Sequence, residues 1–201
     1  EKVITVHNAV DFSGRETIES SKAIKEKVIT FLGRITFQKG PEYFIEAAYK
    51  VLKVCPNVRF VMAGSGDMMN KMVARVAKLR IGSKFTFTGF LTGDDVHKMY
   101  AQSDVYVMPS VSEPFGISPL EAMRTGVPTI ISKQSGVAEV LKHAIKVNFW
   151  DIDALADAMY GLVTYPTLAA TLQGEDTAEV NALNWDDSAC RVKAVYKGVI
   201  A

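Results

Sequence analysis

Cysteine is scarce. The 201 residues contain two, Cys55 and Cys190, too few for a disulfide scaffold or a cysteine-rich zinc site. Single buried thiols in a cytoplasmic protein are the simpler reading, with one bridge between them left open. The three histidines, His7, His97 and His143, are widely separated and show no metal-ligand spacing. A metalloenzyme relying on this chain's own His and Cys is not expected. A surplus of charge is missing too: 23 Lys and Arg face 22 Asp and Glu, a net charge of +1. That balance gives no bulk attraction to nucleic acid or to an anionic membrane, so any anion site must be local. No apolar run approaches the roughly 20 residues needed to span a bilayer. The opening Glu1-Lys2-Val3-Ile4-Thr5-Val6 has neither the basic region nor the apolar core of a signal peptide. Internal repeats and low-complexity stretches are absent.

What is present is the material of a soluble globular domain, with 48% hydrophobic and 22% charged residues. Short apolar runs at 28–32, 58–63, 85–88, 105–108, 127–131 and 145–149 read as strands. They are near-continuously apolar rather than alternating, as expected when both faces of a parallel sheet are covered. Between the first two, Phe44, Ala47, Ala48, Val51 and Leu52 form a helical stripe, with Pro41 at the first position. A second helix is predicted over 68–79, with Met72, Val73, Val76 and Leu79 inward. Thr92-Gly93-Asp94-Asp95 resembles a capping box opening a third. Further helical patterns cover 120–124, 153–163 and 186–199. Strand and helix alternating in this way predict a Rossmann-like, doubly wound α/β fold with a parallel sheet of about six strands. Residues 1–25, with a strand-like stretch at 3–6 and a polar run after it, read as a linker or arm outside the main domain, 26–201.

In such a sheet, ligands bind beyond the carboxyl ends of the strands. Arg34 and Lys39 flank the turn after the first strand, one fork and one point charge suited to a diphosphate. Taken alone, two loop cations are more often simply solvated. Gly64-Ser65-Gly66 is too short for a dinucleotide fingerprint. The loop after the fourth strand is more informative. Glu113 precedes a helix expected to start near Gly116, whose free backbone N–H groups make an anion site, and Glu121 lies on that helix. A carboxylate there can accept two hydrogen bonds from a vicinal diol such as a ribose offers. Pro114, Gly116 and Pro119 so close together argue for a shaped loop.

Glu113-Pro114-Phe115-Gly116-Ile117-Ser118-Pro119-Leu120-Glu121-Ala122-Met123 resembles the E-x7-E signature of retaining glycosyltransferases of the GT-B fold, and more narrowly the "glycosyl transferases group 1" (family 4) C-terminal domain. Val6-His7-Asn8-Ala9-Val10-Asp11 resembles that family's linker, with Ala9 where Gly is usual. Phe31-Leu32-Gly33-Arg34 with Lys39-Gly40 resembles its phosphate loop, and the stretches 122–130 and 135–140 continue the match in order.

The resemblance implies roles residue by residue. Arg34 and Lys39 hold the donor's diphosphate and stabilise it as it leaves. Glu113 contacts hydroxyls of the transferred sugar, while Phe115, Gly116 and Ile117 present backbone N–H groups to sugar and phosphate. Glu121 binds the ribose, and the base lies near Gly89, Phe90 and Leu91. Gly64 permits close packing under the nucleotide, and Gly33, in the phosphate loop, is a nucleotide-sugar-binding residue. No cofactor or metal is implied beyond the nucleotide-diphosphate sugar, whether UDP-, GDP- or ADP-linked. The other implied partner is an N-terminal acceptor domain, which this chain does not contain. His7 lies in the linker and is not that domain's histidine. The run 144–149 departs from the family's usual last strand, and Asn184-Trp185-Asp186-Asp187 resembles the start of its final helices. Val192, Val195 and Val199 on the last helix are expected to be partly exposed.

The function implied is transfer of a hexosyl group with retention, by a metal-independent cytoplasmic enzyme with no nucleic-acid partner and no membrane span in this chain. Peripheral membrane attachment through the missing domain stays open. The isolated chain is expected to be inactive by itself. Two alternatives stand beside this: a non-catalytic nucleotide-sugar binding module, and a nucleotide-sugar epimerase of the same architecture.

Overall fold

A computed structural model describes residues 3–10, 25–181 and 183–200. Six parallel strands form one sheet: β1 (Lys27–Leu32), β2 (Val58–Ala63), β3 (Phe85–Gly89), β4 (Val105–Met108), β5 (Thr129–Ser132) and β6 (Ile145–Val147). Their spatial order is β3-β2-β1-β4-β5-β6, so the direction of winding reverses between β1 and β4. That reversal opens a crevice at the carboxyl edge, and the functional loops gather there. The order is that of the doubly wound Rossmann-like class read from the sequence.

Helices cover both faces, which is why β4 and β5 are buried along their whole length. On one face pack α1 (Pro41–Val54), α2 (Met69–Lys78) and α6 (Ile152–Thr164), through Phe44, Met72 and Leu155. Phe44 meets Phe31, Phe60 and Phe85 at ring-centroid distances of 5.7–5.9 Å, joining three strands to α1. On the other pack α3 (Asp94–Ala101), α4 (Ser118–Arg124), α5 (Val137–Val140) and α7 (Pro166–Asn181), through Tyr100, Leu120, Val137 and Val180. The last helix, α8 (Trp185–Ile200), leaves Val192 and Val199 exposed and Val195 half-buried, as expected.

Several local expectations change. Val127 donates its N–H to the carbonyl of Ala122, closing the turn that follows α4, and β5 begins only after Pro128. β6 stops at Val147 because Asn148 turns the chain, its carbonyl accepting from the Asp151 N–H. Val73 faces solvent: the inward stripe of α2 is Met72 and Val76 with Leu79 half-buried, and Val73 lies off it. No capping box forms at α3, where Gly93 is the cap residue and no side chain caps the helix. The helix after β4 starts at Ser118, two residues past Gly116. Residues 3–6 form no strand. The segment 3–10 runs irregularly along the domain, with Ala9 buried and Ser188 Oγ donating to the His7 carbonyl at 3.0 Å. The rest of the expected arm, 11–24, lies outside the described residues. Both cysteines are free thiols, but neither is buried as expected: Cys55 is half-buried and Cys190 lies exposed on α8.

α6 shows how one side chain sets a boundary. Asp151 accepts the Ala154 N–H at 3.0 Å, satisfying one of the donors that a helix start leaves open. Asp151→Ala is expected to cost about 1 kcal/mol. In a domain of this size that lowers the thermal midpoint by roughly 2–4 °C in a melting scan.

Candidate functional site

The loops after β1, β2 and β3, together with α3 and α4, enclose a cleft of about 810 Å³, within the usual span of small-molecule sites. It sits at the β1/β4 reversal. Leu32, Gly33 and Arg34 form its β1 wall, Gly64 and Ser65 its β2 wall, and residues 90–94 its β3 side. Val96 and His97 from α3 and Glu121 from α4 complete it. The structure therefore brings Gly33, Arg34, Gly64, Phe90, Leu91 and Glu121 together from four separate segments of chain. Phe90 is 75% exposed, an uncovered aromatic face at one end of the cleft.

The close approach of the β1 and β2 walls depends on glycine. A Cβ on Gly64 would lie 1.9 Å from the Gly33 carbonyl oxygen, and the φ of Gly64 is +135°. Across the same seam the Gly33 N–H donates to the Ala63 carbonyl at 3.0 Å, and on the β3 side the Gly64 N–H donates to the Gly89 carbonyl at 2.8 Å. Arg34 is thereby held next to the cleft floor on a backbone that has little room to shift.

Lys39, Glu113, Phe115, Gly116 and Ile117 lie beside the cleft rather than on its lining. Lys39 Nζ and the Glu113 carboxylate form an ion pair. The loops that carry them are joined by backbone, the Val111 N–H donating to the Gln38 carbonyl at 2.9 Å. Phe115 is buried in the second core, so only its backbone is available to a ligand. Gly116 has φ +97° and packs between the Glu113 stem and the Met108 side chain, while Ile117 points its side chain to solvent. No backbone hydrogen bond among the described residues takes the N–H of Gly116 or Ile117, as expected just before a helix.

Beneath α4 lie two fully buried tyrosines. Tyr106 donates its hydroxyl to Ser118 Oγ at 2.8 Å, shared with the Leu32 carbonyl at 3.3 Å, and Tyr100 donates to the Ser118 carbonyl at 3.1 Å. Burial pushes both phenols up in pKa. For Tyr106 the Ser118 hydrogen bond opposes that rise, and the carboxylates of Glu121 and Glu113 add to it. Both hydroxyls stay protonated at neutral pH.

Residues 14–172 match the family model described as Glycosyl transferases group 1. The chain belongs to this family. An uncharacterized glycosyltransferase of Methanocaldococcus jannaschii is 40% identical over 156 residues, covering 72% of this chain and 40% of that protein. Mannosylfructose-phosphate synthase of Agrobacterium fabrum is 26% identical over 196 residues, covering 92% and 43%. Sucrose-phosphate synthase from Thermosynechococcus elongatus superposes with a TM-score of 0.75 at 26% identity, over 88% of this chain and 46% of that one. The C-terminal domain of a glycosyl transferase group 1 family protein from Francisella tularensis gives 0.72 at 25% identity, over 77% and 84%. This group 1 chain thus spans 40–43% of those two curated relatives.

Within the group 1 domain, the cleft also takes in Asp94, Val96 and His97 of α3, which lie outside the strand-end loops to which the sequence points. One signal for them was available: Asp94 and His97 are three residues apart on a helix and so share a face. Among the described residues, no three His, Cys, Asp or Glu side chains converge so as to hold a metal ion. No described helix is long and apolar enough to cross a membrane.

Proposed function

We propose that this chain is the donor-binding domain of a retaining glycosyltransferase that moves a hexosyl group from a nucleotide-diphosphate sugar to an acceptor hydroxyl. One observation carries the reading: a cleft at the sheet reversal with a guanidinium, Arg34, on one wall and a carboxylate, Glu121, on another. A nucleoside diphosphate has the matching chemistry, a diphosphate anion and a ribose vicinal diol in one molecule. The exposed face of Phe90 offers a surface for the base, whether uracil, guanine or adenine.

Transfer breaks the anomeric bond to the diphosphate and makes one to the acceptor oxygen. Negative charge grows on the leaving phosphate, and groups that meet it there lower the barrier more than they tighten ground-state binding. Arg34, Lys39 and the N–H groups of Gly116 and Ile117 are assigned to that task. No metal ion is assigned a part in this transfer. Glu113, held by Lys39, is assigned to the sugar hydroxyls, and Phe115 contributes through its backbone. Acceptor recognition is assigned to a preceding domain of the parent protein, in keeping with the chain's share of its relatives' length. Separated from that partner, the chain is expected to bind nucleotide weakly and transfer nothing.

Titration calorimetry with UDP, GDP and ADP tests the reading. One nucleotide is expected to bind selectively, and Glu121→Ala to weaken it by roughly ten- to a hundredfold, the worth of a charge-assisted hydrogen bond. Equal, unselective binding that ignores Glu121 would sink the assignment.

A further inference from the structure

The two walls of the cleft that carry Arg34 and Glu121 are not joined by the sheet. The β1–β4 ladder pairs Ile29 with Val105 and Thr30 with Tyr106 and extends no further. Leu32, the residue that leads into Gly33 and Arg34, lies past its end. Farther out, the loops after β1 and β4 are tied by the Val111 N–H to Gln38 carbonyl bond and by the Lys39–Glu113 ion pair, but beside Leu32 itself what reaches toward α4 is a side chain. The Tyr106 hydroxyl reaches the Leu32 carbonyl on one side and Ser118 Oγ on the other. Ser118 is the first residue of α4, and Glu121 follows one turn later. Tyr100 braces the same point from α3: its hydroxyl bonds the Ser118 carbonyl, and its ring meets that of Tyr106 edge-on at 5.7 Å.

A phenylalanine would fill the ring's place in the core equally well. It would leave a half-buried carbonyl and a half-buried hydroxyl without this partner, so the tyrosine's oxygen is what the site uses. We propose that Tyr106 is a positioning residue for nucleotide-diphosphate binding, setting the span between the Arg34 loop and the Glu121 helix so that diphosphate and ribose are held together. The inference rests on the nucleotide reading above and adds to it a residue that touches no ligand. Burial raises its pKa further above neutrality, so the phenol stays protonated and remains a donor at neutral pH.

The test is calorimetry on the 201-residue chain, first with UDP, GDP and ADP, then with the monophosphate of the base that binds. Tyr106→Phe is expected to weaken the diphosphate about five- to tenfold, the worth of one hydrogen bond, and the monophosphate no more than about twofold. A span between two walls matters only to a ligand that reaches both, whereas general softening of the core weakens the two ligands alike. Ser118→Ala, which keeps the tyrosine, is expected to repeat the selective loss, and Ser118→Thr, which keeps a hydroxyl, to spare it. This second pair decides the matter if Tyr106→Phe fails to fold. Unchanged diphosphate affinity, or equal loss for both ligands, overturns the proposal. If Glu121→Ala abolishes binding while Tyr106→Phe and Ser118→Ala leave it intact, the positioning role alone falls. If no nucleotide binds the wild-type chain, the nucleotide reading falls and takes this proposal with it.

Discussion

Gly64→Ala is expected to cost roughly 3 kcal/mol or more of unfolding free energy, from backbone strain and overpacking combined. The methyl group would sit 1.9 Å from the Gly33 carbonyl oxygen and 2.9 Å from its carbon, and neither atom belongs to a side chain that can swing away. The backbone at φ +135° is also one that an L-residue rarely adopts. Relief requires β1 and β2 to part at their carboxyl ends, at the expense of the bond between the Gly33 N–H and the Ala63 carbonyl. Arg34 moves with that seam, so nucleotide affinity is expected to fall even at temperatures where the variant stays folded. Urea unfolding monitored by circular dichroism reads the first effect, and calorimetry the second. Gly82→Ala is the control: nothing lies within 4 Å of its added methyl, so a change within about 0.5 kcal/mol is expected. Equal stability of the two variants would show that the seam yields without cost.

The sequence exposed those features whose cause is local. All six strands were legible as apolar runs, and α1 as a stripe, because each is set by the period of its own residues. Gly33, Gly64 and Glu121 were legible because strand ends in a parallel sheet share one edge, and a short list of loops then contains the site. α7 was missed: Leu168, Ala169, Ala170 and Leu172 crowd its first turns without a helical stripe, and its hold on the domain comes from α4 and α6. Glu179 adds to that hold by accepting the N–H groups of Lys142 and His143 at 2.7 and 3.2 Å. No local pattern announces such a partner. The same holds for Tyr106 and Ser118, which read as one strand residue and one residue at a helix start until the fold places their side-chain oxygens 2.8 Å apart.

Lys39 and Glu113 are the sharpest case, assigned to diphosphate and sugar separately yet bonded to each other. Their side chains are 21% and 10% exposed, so each has given up most of its hydration for the other. Lys39→Ala is therefore expected to cost about 3 kcal/mol by leaving the Glu113 carboxylate buried and unpaired. For a domain of this size the thermal midpoint drops by roughly 6–12 °C. The double variant Lys39→Met/Glu113→Gln removes both charges and is expected to regain most of that loss, since a neutral pair carries no orphaned charge. Binding separates the two effects. An ammonium has three donors, so Lys39 can keep Glu113 and still meet a phosphate oxygen. Both variants are accordingly expected to bind nucleoside diphosphate about tenfold more weakly or worse. Stability that recovers in the double variant while affinity does not marks Lys39 as serving the fold and the ligand through the same nitrogen. Affinity that returns along with stability would instead make the pair a purely structural strut, and would move the diphosphate's charge compensation onto Arg34.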